Sequence, residues 1–217
     1  VVAHKNVLRW LDGRGWLVLS GGAGGAVRAQ AIGRLAADGG VAYITLGSNA
    51  DEGEQVLADM ADLGAPSGYM VDILSEDDET IQSKLAQAGM VVIEAAADAA
   101  QMRSALMGAA SDGIQIAFEN GAIVLAEGSS AAAFGSWVLA LDERIVTGLE
   151  WLEGALVVTG TSAVGASPDA QRVLRAQAEA IAVGIDDQSA LALGPDGEVE
   201  LWGDGQVTVA LGRAYQS

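Results

Sequence analysis

Short apolar runs alternate with longer helical stretches over the first 127 residues, and this alternation constrains the fold more than any other feature. "GWLVLSGG" (15–22), "VAYITLG" (41–47), "GYMVDIL" (68–74), "MVVIEA" (90–95) and "GAIVLAE" (121–127) read as strands. Between them, "VRAQAIGRLAADGG" (27–40) reads as a helix stopping at Gly39-Gly40, and "EGEQVLADMADLG" (52–64) spaces Val56, Leu57, Met60 and Leu63 at a helical period. "DDETIQSKLAQAG" (77–89), "DAAQMRSALMGAA" (98–110) and "SDGIQIAFENG" (111–121) are further helices. Parallel strands need a crossover of roughly a dozen residues, which these segments supply. Hydrophobic residues make up 51% of the chain, and 29 residues are glycine, a mix that lets helices sit close on a buried sheet. After residue 183 the texture changes. Pro195-Asp196-Gly197 and Gly203-Asp204-Gly205 punctuate short alternating runs, as in an antiparallel meander. The expectation is one α/β domain over residues 1–217: a three-layer, flavodoxin-like sandwich with a mostly parallel central sheet and a short antiparallel C-terminal meander.

Charge and composition exclude several functions. The net charge is −18, and the only lysines are Lys5 and Lys84, so nucleic acid is repelled. The acidic surface serves solubility, as in a salty setting, or attracts a cationic ligand; both stay open. With no cysteine there is no thiolate metal site or cysteine nucleophile. No apolar run reaches the ~18 residues of a membrane span and no basic-then-apolar start is present, so the expectation is a cytoplasmic protein with no membrane partner. Neither a cofactor nor a metal is called for.

Most motifs have a plain structural account. "SGGAGGAV" (20–27) offers Gly22 and Gly24 toward a dinucleotide fingerprint, but Val27 stands where the third glycine belongs, which favours a tight turn. Asp98 and Gln101 have capping-box spacing. "SEDDET" (75–80) reads as a solvated helix start. Trp10, Trp16, Trp137, Trp151 and Trp202 are scattered and read as packing. "EGSSAAAFG" (127–135) is different. Gly128-Ser129-Ser130-Ala131-Ala132 fits G-x-S-x-G with alanine for the last glycine, the pattern of a nucleophile elbow. Ser130 would expose its Oγ there, and the Ala131 N–H would face a developing oxyanion. A strand–helix packing turn without chemistry fits the same spacing equally well.

At these residues the sequence resembles the cyanophycinase and dipeptidase E family of serine peptidases, over roughly residues 15–211. "GSSAAA" is similar to the family's G-T-S-A-G-A elbow, with the nucleophile at Ser130. "GLEWLEGALVV" is similar to G-L-G-L-L-P-G-x-x-x-D, "AVGIDDQSALAL" to G-I-G-I-D-E-x-T-A-L, and "GDGQVTVA" to G-x-G-x-V-x-V. The resemblance implies a class I glutamine amidotransferase-like fold and serine peptidase chemistry.

The departures fall where that chemistry should be. Gly160, in "VVTGTSAVG", takes the place of the family's base histidine, and the oxyanion G-G-D-Q becomes Ala96-Ala97-Asp98-Ala99. Asp142 and Glu143 lie in the region expected for the triad acid. The one histidine, His4, serves as base only if the N-terminus folds over the elbow, and neither Lys5 nor Lys84 has an evident route there. A serine hydroxyl without a base is a poor nucleophile. The expectation is a non-catalytic relative, a homodimer, that binds a small molecule or peptide in a cleft at Ser130 or serves in an assembly. The alternative is an active hydrolase on small aspartyl or Asp-Arg-type peptides.

Overall fold

The structure, a computed structural model, describes residues 7–35, 39–46 and 50–215. His4 and Lys5 lie outside them. Strands β1 (Trp16–Ser20), β2 (Val41–Thr45), β3 (Gly68–Asp72), β4 (Met90–Ile93) and β5 (Ile123–Glu127) alternate with helices α1 (Gly25–Arg34), α2 (Ala50–Asp62), α3 (Asp78–Ala86), α4 (Ala99–Leu106) and α5 (Ala109–Glu119). The strands pair in parallel in the order β1-β5-β4-β2-β3. Helix α1 ends at Arg34, earlier than the Gly39-Gly40 stop that the sequence led us to expect.

A four-residue helix, α6 (Ser129–Ala132), follows β5. The chain then builds a second sheet from β6 (Gly135–Leu139), β7 (Ile145–Thr147), β8 (Leu152–Thr159) and, after helix α7 (Pro168–Ala176), β9 (Ile181–Ile185). In that sheet β6, β8 and β9 run parallel. The last strands correct the expected meander. β10 (Ser189–Leu193) and β11 (Val199–Gly203) form a hairpin added antiparallel to the edge of β1, whereas β12 (Val207–Leu211) crosses to the other sheet and pairs with β9. The result is a three-layer α/β fold whose mostly parallel strands are divided between sheets of seven and five strands.

Alternation along each strand sets the two cores. Val18, Tyr43, Val92 and Leu125 face Val27 and Ala31 of α1 and Met60 of α2. Leu19, Ile44, Val91 and Val124 belong to a second cluster with Leu85 of α3, Ile114 and Phe118 of α5, and Ala155, Val157 and Val183 of the other sheet. The Trp151 ring sits between Phe118 and Phe134, at centroid distances of 5.2 and 5.3 Å. The tryptophans thus pack as expected; Trp16 and Trp202 lie 5.7 Å apart beneath Arg34. Among the described residues no helix is long and apolar enough to cross a membrane.

Candidate active site

In an elbow the reactive residue occupies the sharp, strained turn between strand and helix. Here β5 ends at Glu127, α6 begins at Ser129, and the residue between them is Gly128, with φ 56° and ψ −134°. That positive φ suits glycine. A Cβ at Gly128 would stand 2.9 Å from the Ala95 Cβ, so the turn is also close-packed. The Gly128 N–H donates to the Ser20 carbonyl at 3.0 Å, tying the turn to the end of β1.

Ser130 therefore does not occupy the apex, contrary to the sequence expectation. It lies within α6, is 0% exposed, and its Oγ donates to the backbone carbonyl of Glu94. Ser129 Oγ donates to the Ala96 carbonyl. The two hydroxyls bond α6 to the segment following β4, a structural use of both side chains. Ala131, expected at the oxyanion hole, donates its N–H to the Gly128 carbonyl at 3.0 Å. Ala96 serves as a carbonyl acceptor and Ala97 is exposed. Asp98 caps α4 through the Ala100 N–H at 3.0 Å; Gln101 makes no reciprocal bond among the described residues.

The base position lies at the end of β8. Gly160 has φ 71°, and a Cβ there would stand 3.2 Å from Asp187 Oδ1. Parallel pairing of β8 with β9 brings the two together. The backbone at Asp186 and Asp187 in turn closes on the glycine turn: a Cβ on Gly21 would meet the Asp186 carbonyl at 2.1 Å, and one on Gly22 the Asp187 carbonyl at 2.8 Å. This packing accounts for Gly21 and Gly22, whereas a Cβ on Gly24 or Gly25 would meet open space. Asp142 and Glu143 are instead in the β6–β7 connection, bound to Arg144 at 2.6 Å and Arg172 at 2.7 Å. The carboxylate beside Gly160 is Asp187, which the sequence reasoning missed although "GIDDQSAL" carried it. Lys84 holds Glu76 at 2.5 Å.

A second polar group escaped the sequence reading altogether. Arg28 of α1 reaches the carboxylate of Glu127, the last residue of β5, through bonds of 2.7 and 2.6 Å, with side chains 11% and 2% exposed. Tyr43 donates to Glu94 Oε2 at 3.3 Å, and the Leu46 N–H donates to Oε1 at 3.2 Å. The bonds to Glu127 hold the Arg28 guanidinium above its ordinary pKa. Burial, with the charges of Glu94 and Glu127, pushes the Tyr43 phenol well above its ordinary 10.0.

The Tyr43 shift has a measurable consequence. Above pH 10 the unfolded chain releases this proton while the folded chain keeps it. The folded state then binds more protons, so its stability, full below the unfolded pKa, declines as pH rises toward the folded one. Tyr43→Phe is expected to reduce the slope of melting temperature against pH above 10, leaving the smaller share due to Tyr69, which burial also raises. An unchanged alkaline slope in the variant would contradict the assignment.

The more prominent cavities of the described surface include five of about 270 to 570 Å³, and these five are lined by residues other than Gly128, Ser130 and Gly160. Within the described residues no group of His, Asp or Glu side chains has the arrangement to hold a metal ion.

No protein-family model matches the chain, and no curated protein matches it in sequence. Solved structures do. A peptidase from an acI-B1 Actinobacterium superposes with a TM-score of 0.74 at 17% identity, over 93% of each chain. A candidate peptidase E protein from Listeria monocytogenes EGD-e gives a TM-score of 0.62 at 13% identity, over 91% of this chain and 98% of that one. At such identities the likeness speaks for architecture. The chain has the fold of these two proteins.

Proposed function

We propose that this chain is a peptidase-fold protein that does not cleave peptides and acts instead by binding or assembly. The observation carrying this reading is the glycine at the strained apex: Gly128 has no nucleophile to offer, and the nearby Ser130 is buried and bonded to the Glu94 carbonyl. Gly160 adds no base, although Asp187 stands beside it. Nucleophile and base act as a unit, and losing either costs up to ~10⁶-fold in turnover in the best-studied protease. The test is hydrolysis of α-aspartyl and β-aspartyl dipeptides by the wild-type chain. Release at the buffer rate is expected. Turnover that disappears in Ser130→Ala would establish the hydrolase alternative.

Assembly as a homodimer is part of the same proposal. Strand β11 is the outer strand of its sheet, and Val199 and Leu201 on it are 51% and 54% exposed. An edge strand that carries exposed apolar side chains is a template for pairing with a second copy. The charge of −18 per chain opposes it, so the dimer should strengthen with salt. Sedimentation velocity is expected to show a dimer at raised salt that Leu201→Lys dissociates. A monomer at every salt and protein concentration would contradict it.

A further inference from the structure

A cavity of about 460 Å³ lies between the C-terminal half of α7, which lines it with Gln171, Leu174 and Arg175, and the end of β12, which lines it with Leu211, Gly212 and Arg213. Its two arginines are unusual in this chain. Acidic residues outnumber basic ones by 29 to 11, and six of the cations each hold a carboxylate. Among the described residues Arg14, Arg103, Arg175 and Arg213 hold none. Arg14 is bound to the Glu119 carbonyl and Asn120 Oδ1, and Arg103 is half-buried. Arg175 and Arg213 are both exposed, and no acidic side chain is among the described residues that line their cavity. Both stand on anchored backbone. Arg175 is in the last turn of α7, which buries Ala170 and Val173, and its Nη2 donates to Gln171 Oε1 at 2.8 Å, setting the guanidinium beside another lining side chain. Arg213 follows Gly212, whose N–H donates to the Ala180 carbonyl at 2.8 Å and where a Cβ would meet the Ala178 carbonyl at 2.4 Å. A basic residue in a last turn complements the helix dipole, which accounts for Arg175 alone and not for a second arginine facing the same space.

We propose that this cavity binds a small aliphatic dicarboxylate, one carboxylate received by Arg175 and the other by Arg213. A guanidinium presents a planar fork that matches the two oxygens of a carboxylate. The two forks come from different elements, one from a helix and one from the end of a strand, which suits two separate carboxylates better than a single phosphate group. Leu174 and Leu211, both half-buried, offer apolar surface to the methylenes between the charges. Gln171 positions Arg175, since its Oε1 accepts from the guanidinium while its Nε2 donates to the Gly165 carbonyl at 3.1 Å. The acidic surface elsewhere does not forbid such a ligand: at ~0.15 M salt, exposed charges more than ~8 Å away are largely screened, whereas direct contacts in the cavity are not.

The inference stands apart from the elbow: peptide turnover would overturn the reading above and leave this one in place. Its test is a titration of the ¹⁵N-labelled full chain with adipate, following the backbone amide and arginine Nε–H resonances. Saturable shifts are expected at Arg175, Gly212 and Arg213. Arg175→Gln and Arg213→Gln should each bind adipate about tenfold more weakly, and hexanoate, with one carboxylate, should bind the wild type more weakly by a similar factor. Both side chains are exposed, so both variants should melt as the wild type does. No saturable shift, an undiminished affinity in Arg213→Gln, hexanoate binding as tightly as adipate, or inorganic phosphate binding more tightly would each overturn the assignment.

Discussion

Replacing Glu127 by alanine is expected to destabilise the fold by about 3–5 kcal/mol, because it leaves the Arg28 guanidinium buried without its partner. The pair joins α1 to the end of β5, with Arg28 and Glu127 side chains only 11% and 2% exposed. Removing one partner strands a charge that is largely shielded from water, and the loss exceeds what the pair itself contributes. Arg28→Met together with Glu127→Leu should therefore recover most of the stability lost in Glu127→Ala. Urea denaturation of the single and double variants separates the effects. A double variant no more stable than Glu127→Ala would show that packing at this point, and not the stranded charge, sets the cost.

Trp151→Ala is expected to cost a similar ~3–5 kcal/mol, by opening a cavity where the two sheets meet. Trp151 is 5% exposed, and its ring contacts Phe118 of α5 and Phe134 immediately beyond α6. Both neighbours are essentially buried, so few side chains can move in to fill the space. Trp151→Phe should retain most of the stability. Equal losses in the alanine and phenylalanine variants would mean that the indole does something besides fill volume.

Local periodicity carried the first five strands and the helices between them, because an apolar strand and an amphipathic helix each announce themselves within a dozen residues or so. The second sheet was less legible. Its parallel β6–β8 and β8–β9 pairings join segments with no common local signal, and β12 reads like a third meander strand although it pairs with β9. At the elbow, the letters of "GSSAAA" matched a nucleophile pattern at Ser130. The strained residue is set instead by where β5 stops, and that is Glu127, two residues earlier than the pattern requires. Sequence spacing alone could not show that the Ser130 hydroxyl faces the Glu94 carbonyl. Nor could it join Arg28 to Glu127 across 99 residues, or set Asp187 beside Gly160 through strand pairing.

The central claim is that the peptidase fold here has no reactive serine at its elbow, and covalent labelling tests it most directly. The wild-type chain is incubated with a fluorophosphonate probe at pH 6 to 8, beside an active serine peptidase labelled to completion as a standard. Intact mass and peptide mapping then read the product. The account predicts unmodified chain, with no adduct on the peptide carrying Ser129 and Ser130. A stoichiometric adduct on Ser130 would contradict it, because that hydroxyl would have to leave its bond to Glu94, reach the surface and meet a base.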